Sequence, residues 1–107
     1  MQTDNKTLLS NVETTFKLAL DASLPLEERI QYDALGHKLR TRLVSLLSAK
    51  FVEGTPAVSV ANKKMKEVNA VLKKRLEKLE SAAKTIGALA DLISIIDDLF
   101  KLPFLFV

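Results

Sequence analysis

The sequence predicts an all-α protein in which three helices pack antiparallel and the third helix extends well beyond the other two. The second half of the chain carries an apolar residue at every seventh position, which is typical of a helix packed along most of its length. Those positions are Val58, Met65, Leu72, Leu79, Ile86, Ile93 and Phe100. The chain of 107 residues has three glycines and three prolines, too few for the frequent turns of an all-β fold.

Length and composition limit the class of protein. A chain of 107 residues is long enough for a modest core, and we expect residues 1–107 to form a single helical domain. Because the sequence has no cysteine, disulfides and thiolate metal sites are excluded. The first residues lack the basic and apolar pattern of a signal peptide, so a cytoplasmic location is expected.

The first helix is predicted over residues 4–22. Asp4 or Thr3 can accept hydrogen bonds from the free amides of its first turn. The helix should end before Pro25, because the residue preceding a proline disfavours helical geometry. Its apolar stripe, spaced by three and four residues, consists of Leu8, Val12, Phe16, Ala19 and Leu20.

The second helix is predicted over residues 25–51. Pro25 suits its first turn, and Glu27 and Glu28 follow at positions where the helix dipole favours negative charge. Gly36 lies inside this helix, where glycine is less favourable than alanine by about 1 kcal/mol. This glycine therefore marks either a close helix crossing or a tolerated position on the exposed face.

The third helix is predicted over residues 56–102, after a break in which Gly54 can cap the second helix and Pro56 can begin the third. At about 1.5 Å per residue, the third helix would be roughly 65–70 Å long and the second roughly 40 Å. An antiparallel second helix therefore covers the third only to about Lys84. The remainder must protrude, bend at Gly87 or contact another chain.

The segment beyond Lys84 is apolar on two sides, so we expect both sides to be buried. Since a three-helix monomer cannot bury both sides of a protruding arm, we expect a homo-oligomer, in the first place a dimer, built as a helical bundle or coiled coil. The expected interface consists of Leu89, Leu92, Ile93, Ile96, Asp97, Leu99 and Phe100. Alternatively, Gly87 breaks the helix and residues 88–101 fold back as a fourth helix. We expect the apolar ending, residues 102–107, either to dock into a groove on a partner subunit or to be the cut edge of a longer chain.

No catalytic or metal site is predicted, and no cofactor is expected. His37 is the single histidine and has no cysteine or second histidine with which to share a metal ion. Asp97 and Asp98 point about 100° apart on a helix and do not converge on one pocket. If Asp97 is buried, it needs a basic partner such as Lys101 or a residue of another subunit, and we expect it to fix the register of the interface.

A basic surface is the strongest functional indication. Residues 29–84 hold thirteen lysines and arginines against five acids, so an anionic partner is expected to bind there. Neighbouring faces of helices two and three could join into one positive surface that binds phosphates. Its residues are Arg40, Arg42, Lys63, Lys66, Lys73 and Lys74. Because no aromatic residue for base stacking is interleaved among them, a merely solvated face is the alternative.

These patterns favour a non-enzymatic interaction protein that self-associates through its apolar C-terminal helix and presents a basic middle to a partner. The alternative is a small nucleic-acid-binding regulatory protein that uses the basic faces of helices two and three. A further alternative is a peripheral membrane protein, which is disfavoured because Asp91, Asp97 and Asp98 accompany the apolar end. A transmembrane helix is not expected, since an aspartate near its centre costs several kcal/mol.

Overall fold

The computed structural model describes residues 1–106, with side chains through Leu105. Over that range it contains four helices and a small two-stranded antiparallel sheet. In chain order the elements are α1 (Asn5–Ala19), α2 (Leu26–Leu47), β1 (Ala49–Phe51), α3 (Pro56–Leu76), α4 (Ala82–Leu99) and β2 (Phe104–Phe106). The predicted all-α class is confirmed. The predicted number of three helices is wrong, because the stretch 56–102 contains two helices.

The four helices form a bundle in which each helix has two principal neighbours. α1 packs against α2 and α3, and α4 packs against the same two helices, so α2 and α3 lie on one diagonal of the bundle. α1 and α3 run in the same direction, because Asp4 contacts Asn62 and Asn11 contacts Met65. The molecule measures 43 × 20 × 19 Å, and the chain crosses the diagonal between α2 and α3.

α1 begins where Asp4 supplies its N-cap. The carboxylate accepts hydrogen bonds from the amide of Thr7 at 3.2 Å and from its hydroxyl at 2.7 Å, which satisfies an amide that the first helical turn leaves free. α1 ends at Ala19, before the predicted end at residue 22. The reason is a local turn, in which the carboxylate of Asp21 accepts bonds from the amide and hydroxyl of Ser23 at 3.0 and 2.6 Å.

α1 and α2 cross closely at Gly36. A Cβ atom at this buried position would lie 3.0 Å from two carbons of the Phe16 ring. The same ring packs edge-on against His37, with 5.1 Å between the ring centroids. Of the two interpretations of this glycine, the close helix crossing is therefore confirmed.

α2 ends at Leu47 rather than at residue 51, and the chain continues as strand β1. Lys50 pairs with Leu105 of β2. On the opposite edge of β1, the amide of Phe51 donates to the carbonyl of Met1 at 2.6 Å, and the amino group of Met1 donates back at 2.7 Å. β1 therefore has bonded neighbours on both edges, β2 on one and Met1 on the other. These contacts supply its backbone groups with partners in place of the i→i−4 bonds of a longer helix.

The small sheet alters two expectations drawn from the sequence, one for Gly54 and one for the C-terminal residues. Gly54, with φ +79°, lies in the turn between β1 and α3 and does not cap α2. Of the two alternatives for the apolar ending, residues 102–107, docking on a partner subunit is replaced by pairing of residues 104–106 with β1 of the same chain. Val107 lies outside the described residues.

The predicted long helix is broken at residues 77–81. Lys78 has a left-handed backbone, with φ +62°. The amide of Leu79 donates to the carbonyl of Lys74 at 2.7 Å, and the amide of Lys78 donates to the carbonyl of Arg75 at 3.0 Å. This is the Schellman pattern that ends many helices, here with a lysine where glycine is usual.

α4 begins immediately after Ser81, whose hydroxyl accepts a hydrogen bond from the amide of Lys84 at 3.2 Å. Gly87, the expected site of a bend or break, lies inside α4, and a Cβ atom there would have no neighbour within 4 Å. The chain therefore folds back as in the alternative of a fourth helix, but α4 starts at Ala82 and not at residue 88.

Folding back buries the apolar surface of α4 in the chain's own core. Ile93 is 8% exposed, and Phe100 is half-buried, with its ring 5.4 Å from that of Phe104. The fully buried apolar side chains of α4 are Leu89, Leu92, Ile96 and Leu99. The expectation of a protruding arm is therefore wrong, because α4 fills the fourth corner of the bundle. In the described part of the chain, no helix combines the length and hydropathy of a membrane span.

Candidate anion-binding surface

The outer side of α3 carries a row of lysines. Lys63, Lys66 and Lys73 are spaced by three and seven residues, which places them on one side of the helix, and Lys74 lies beside them. All four residues are exposed. At about 1.5 Å per residue, the row extends over roughly 16 Å. These four residues are called the α3 lysine row below.

Within residues 1–106, the α3 lysine row has no ion-pair partner. By contrast, the other two cations of α3 are paired: Lys64 lies 4.0 Å from Asp91, and Arg75 lies 2.7 Å from Glu28. The sequence of α3 contains a single acid, Glu67. The positive charge of the row is therefore largely uncompensated, which favours the approach of an anion.

α1 lies next to the row and adds hydroxyl groups. The pKa of Asp4 is lowered chiefly because the hydroxyl of Thr7 donates to its carboxylate, and the charge of Lys66 lowers it further, so Lys66 lies near the start of α1. Thr7 and Thr14 share the side of α1 on which Asn11 contacts α3, and both are partly exposed. Because the hydroxyl of Thr7 is already donated to Asp4, the hydroxyl of Thr14 is the one that suits a phosphate oxygen beside the lysines.

The two arginines predicted for this surface lie elsewhere. Because α2 and α3 lie on a diagonal, the basic faces of helices two and three do not merge. Arg42 donates two hydrogen bonds to the carboxylate of Asp97 on α4, at 3.0 and 3.2 Å, and this carboxylate raises the pKa of Arg42. Arg40 is exposed on α2, where it lines a separate groove with Thr41 and Val44. The structure thus brings together four of the six predicted residues.

The acidic pair near the end of α4 is engaged within the chain. Asp97 has Arg42 as its basic partner. Lys101, the partner expected from the sequence, lies 3.1 Å from Asp98 instead. His37 is exposed on α2. Among the residues that the structure describes, no three His, Cys, Asp or Glu side chains lie close enough together to hold a metal ion.

A buried polar network, which the sequence analysis missed, joins the start of α2 to the end of α3. Arg75 donates to both carboxylate oxygens of Glu28, at 2.7 and 2.8 Å, and Tyr32 donates its hydroxyl to the same carboxylate at 2.5 Å. Arg75 also donates to the carbonyl of Glu80 at 3.0 Å. Glu28 is 6% exposed and Tyr32 is fully buried, so the network lies in the interior.

Each member of this network perturbs the others. The hydrogen bond from Arg75 lowers the pKa of Glu28 against the effect of burial, and Glu28 raises the pKa of Arg75. Burial, reinforced by Glu28, raises the pKa of Tyr32. The three side chains are bonded to one another, so the arrangement stabilises the fold and does not present a free acid or base. The four-residue spacing of Glu28 and Tyr32 is visible in the sequence, but Arg75 is 47 residues away from Glu28.

A second missed polar contact links α1 to α3. Buried Asn11 donates its side-chain amide to the carbonyl of Met65 at 3.0 Å and to the side-chain oxygen of Asn69. The side-chain oxygen of Asn11 has no hydrogen-bond partner in the described structure. At the start of α1, the amide of Asp4 donates to the side chain of Asn62 at 2.8 Å. These contacts fix the register of the two parallel helices.

An apolar groove of about 500 Å³ lies beside the small sheet, between the N-terminus, β1 and the segment around β2. Glu53 lines this groove, and its carboxylate lies 3.0 Å from the amino group of Met1. The groove offers apolar contact area but little polar surface that would select a ligand.

Compared with protein-family models, with curated proteins and with solved structures, the chain has no match in any of the three.

Proposed function

We propose that this protein is a non-enzymatic binding protein that holds a nucleic acid through its phosphates, using the α3 lysine row. The observation that supports the proposal is the row itself: four exposed lysines along roughly 16 Å of one helix, without an ion-pair partner in the described chain. Positive charge that the fold does not use internally is available to a polyanion.

The chemistry of the row favours phosphate contacts over base recognition. Each lysine that neutralises a phosphate releases condensed counterions, which supplies affinity independently of sequence. Thr14 adds a partly exposed hydroxyl donor beside the row. The sequence of α3 contains no aromatic residue, so base stacking is not supplied by this helix. The expected binding is therefore sensitive to salt and tolerant of nucleotide sequence.

Binding is proposed in place of catalysis because the strongly perturbed groups of the interior are already bonded to one another. The carboxylate of Glu28 is shared by Arg75 and Tyr32. A cytoplasmic location, which is part of the proposal, would give the lysine row access to RNA.

The test is fluorescence anisotropy with labelled single-stranded RNA, single-stranded DNA and duplex DNA between 50 and 200 mM salt. We expect the dissociation constant to rise steeply with salt. A variant with Lys63→Gln, Lys66→Gln and Lys73→Gln should bind more weakly. Its plot of log affinity against log salt should lose a slope of about 2 to 3, because up to three phosphate contacts are removed.

The matched control carries Lys38→Gln, Arg40→Gln and Lys50→Gln, which remove the same charge from exposed positions of α2 and β1. An equal loss of affinity in the control would show that net charge, and not the row, attracts the partner. Polyglutamate of matched charge that competes as well as RNA would make an acidic protein the partner. Absence of binding at 50 mM salt would overturn the proposal.

A further inference from the structure

The turn between α3 and α4 interrupts a sequence pattern that continues through it. The heptad of apolar residues includes Leu72 before the turn, Leu79 within it and Ile86 after it. Leu72 is fully buried, whereas Leu79 is 72% exposed. A heptad leucine at the surface indicates that the sequence also encodes a continuous helix, in which Leu79 lies on the apolar stripe.

The turn also lacks the residues that usually stop a helix. Residues 77–81 read Glu-Lys-Leu-Glu-Ser, and glutamate, lysine and leucine are all good helix formers. Lys78 nevertheless has φ +62°, a left-handed backbone conformation that residues other than glycine rarely adopt. The backbone of the turn is therefore strained relative to the helix that the same residues favour.

Three polar contacts hold the turn closed. Lys78 Nζ lies 2.9 Å from the carboxylate of Asp21 in the turn between α1 and α2. Arg75, which is mostly buried, donates to the carbonyl of Glu80 at 3.0 Å, and Ser81 caps α4. The pair of Lys78 and Asp21 is partly exposed, so salt screens it. The contact that holds the left-handed residue itself is therefore weak.

We propose that the α3–α4 turn is a hinge through which two copies of this chain exchange α4. In the exchanged dimer residues 77–81 are helical, so α3 and α4 form one helix over residues 56–99, roughly 65 Å long. α4 leaves its own bundle and occupies the same corner in the second copy. Each bundle then consists of three helices from one copy and α4 from the other.

Exchange preserves the contacts of α4, because the second copy supplies an identical surface. The pair of Arg42 and Asp97 and the apolar core re-form between the two chains. The residues of the turn have more favourable conformations and contacts in the dimer. Lys78 returns to helical geometry, and Leu79 lies on the stripe where the two long helices cross. Short hinges under strain favour this kind of exchange.

Exchange is slow, because α4 must leave the core before it can enter another copy. Its fully buried leucines and isoleucine would be exposed to water during this step. The dimer therefore accumulates when the chain refolds at high concentration, and it persists for a long time after dilution.

The first test compares variants that act on the turn. After refolding at high concentration, size-exclusion chromatography with light scattering gives the dimer fraction. Ala82→Pro suits the closed turn, since Ser81 has ψ 153° and proline favours the first position of a helix. The same proline interrupts a continuous helix, and we expect the dimer association constant to fall about 100-fold or more.

Lys78→Gly and Lys78→Ala provide opposed controls at a single position. Glycine tolerates the left-handed backbone and should lower the dimer fraction. Both variants lose the contact with Asp21, so they differ in backbone preference alone. Alanine favours the helix and should raise the dimer fraction. Circular dichroism establishes that each variant is folded. If Ala82→Pro does not fold, the order of the dimer fractions of the two Lys78 variants provides the test instead.

The second test distinguishes exchange from side-by-side association. A chain with Arg42→Glu and a second chain with Asp97→Arg each contain a mismatched pair. In an exchanged heterodimer, α2 of either chain packs against α4 of the other, so one bundle regains the native pair and the other contains the reversed pair. Refolding the two chains together should therefore enrich the heterodimer at least several-fold over either homodimer. Without exchange, both mismatches remain and no enrichment occurs.

The results of these two tests decide whether the two copies exchange α4. A dimer that is suppressed by Ala82→Pro and enriched as the mixed pair supports exchange of α4. A wild-type chain that remains monomeric after refolding at millimolar concentration overturns it. A dimer that is insensitive to the turn variants, or that forms without preference for the mixed pair, also overturns it.

Discussion

Arg75 and Glu28 face each other across the diagonal of the bundle, and the guanidinium forms hydrogen bonds of 2.7 and 2.8 Å with the two carboxylate oxygens. The side chain of Glu28 is 6% exposed and that of Arg75 is 14% exposed. This pair ties the start of α2 to the end of α3, although the two helices are not principal packing neighbours. Removal of either partner leaves an uncompensated charge in the interior.

Arg75→Met should lower the free energy of unfolding by about 3 kcal/mol, because it leaves the buried carboxylate of Glu28 without its cation. Urea denaturation at pH 7 measures this loss. The control is Lys101→Met, which removes an exposed ion pair with Asp98 at 3.1 Å and should change the stability by about 0.5 kcal/mol or less. Equal losses in the two variants would contradict a structural role for the buried pair.

The contribution of Glu28 should depend on pH. Arg75 lowers the pKa of Glu28 in the folded protein below its ordinary value of 4.5. A carboxylate with a lowered folded pKa stabilises the protein above its unfolded pKa, and this stabilisation is lost as the pH falls through the folded value. In Arg75→Met, burial raises the pKa of Glu28 instead.

The difference in stability between the wild type and Arg75→Met should therefore be largest near neutral pH. It should shrink as the pH falls through 4.5, from the raised folded pKa of Glu28 in the variant towards the lowered folded pKa in the wild type. Urea denaturation of both proteins between pH 3 and pH 7 gives this difference directly. A difference that stays constant across the range would mean that lost packing, and not charge, accounts for the variant.

The two helical glycines should respond oppositely to a methyl group. Gly87→Ala should raise the free energy of unfolding by about 0.5–1 kcal/mol, because alanine is the better helix former and no atom lies within 4 Å of the new Cβ. Gly36→Ala gains the same propensity, but its Cβ meets the Phe16 ring at 3.0 Å. It should therefore stabilise clearly less than Gly87→Ala. Thermal unfolding of both variants tests this order, and equal gains would show that the Phe16 ring moves away freely.

The contact between Asn11 and Asn69 should appear as coupling between the two residues. Asn11→Ala removes two hydrogen bonds and should cost about 2 kcal/mol, whereas Asn69→Ala removes one and should cost about 1 kcal/mol. Because one bond is shared, the double variant should lose about 1 kcal/mol less than the sum. A double-mutant cycle by urea denaturation measures this coupling. Strictly additive losses would mean that the two side chains act independently.

The helical class and several helix starts could be predicted, because local residues determine them. Asp4 caps α1, Pro56 occupies the first position of α3, and apolar residues at three- and four-residue steps face the core. The sequence offers the fold-back only as an alternative, with the break at Gly87. The position of the break could not be predicted, because residues 77–81 favour a helix and the heptad continues through them. The turn exists because α4 finds a corner of the bundle in which to bury its apolar side, and this is a tertiary effect.

The candidate surface was predictable only in part, for a similar reason. The lysines of α3 are visible as charges, and helical spacing places them on one side. Whether a charge is already paired depends on residues far away in the sequence. Arg42 meets Asp97 at a separation of 55 residues, and the diagonal placement of α2 and α3 separates Arg40 from the α3 lysine row.

The position of β1 between Met1 and β2 has a consequence for chain connectivity. Since neighbouring strands lie about 5 Å apart, Met1 and β2 are separated by roughly 10 Å, at the end of the bundle opposite the α3–α4 turn. A circular permutant can therefore join β2 to Met1 with a short linker and open between Lys78 and Leu79. Such a chain keeps the four helices and their core. It has no covalent link through which α3 and α4 could become one helix. Any association of this permutant would therefore measure contacts made by the surface of the bundle alone.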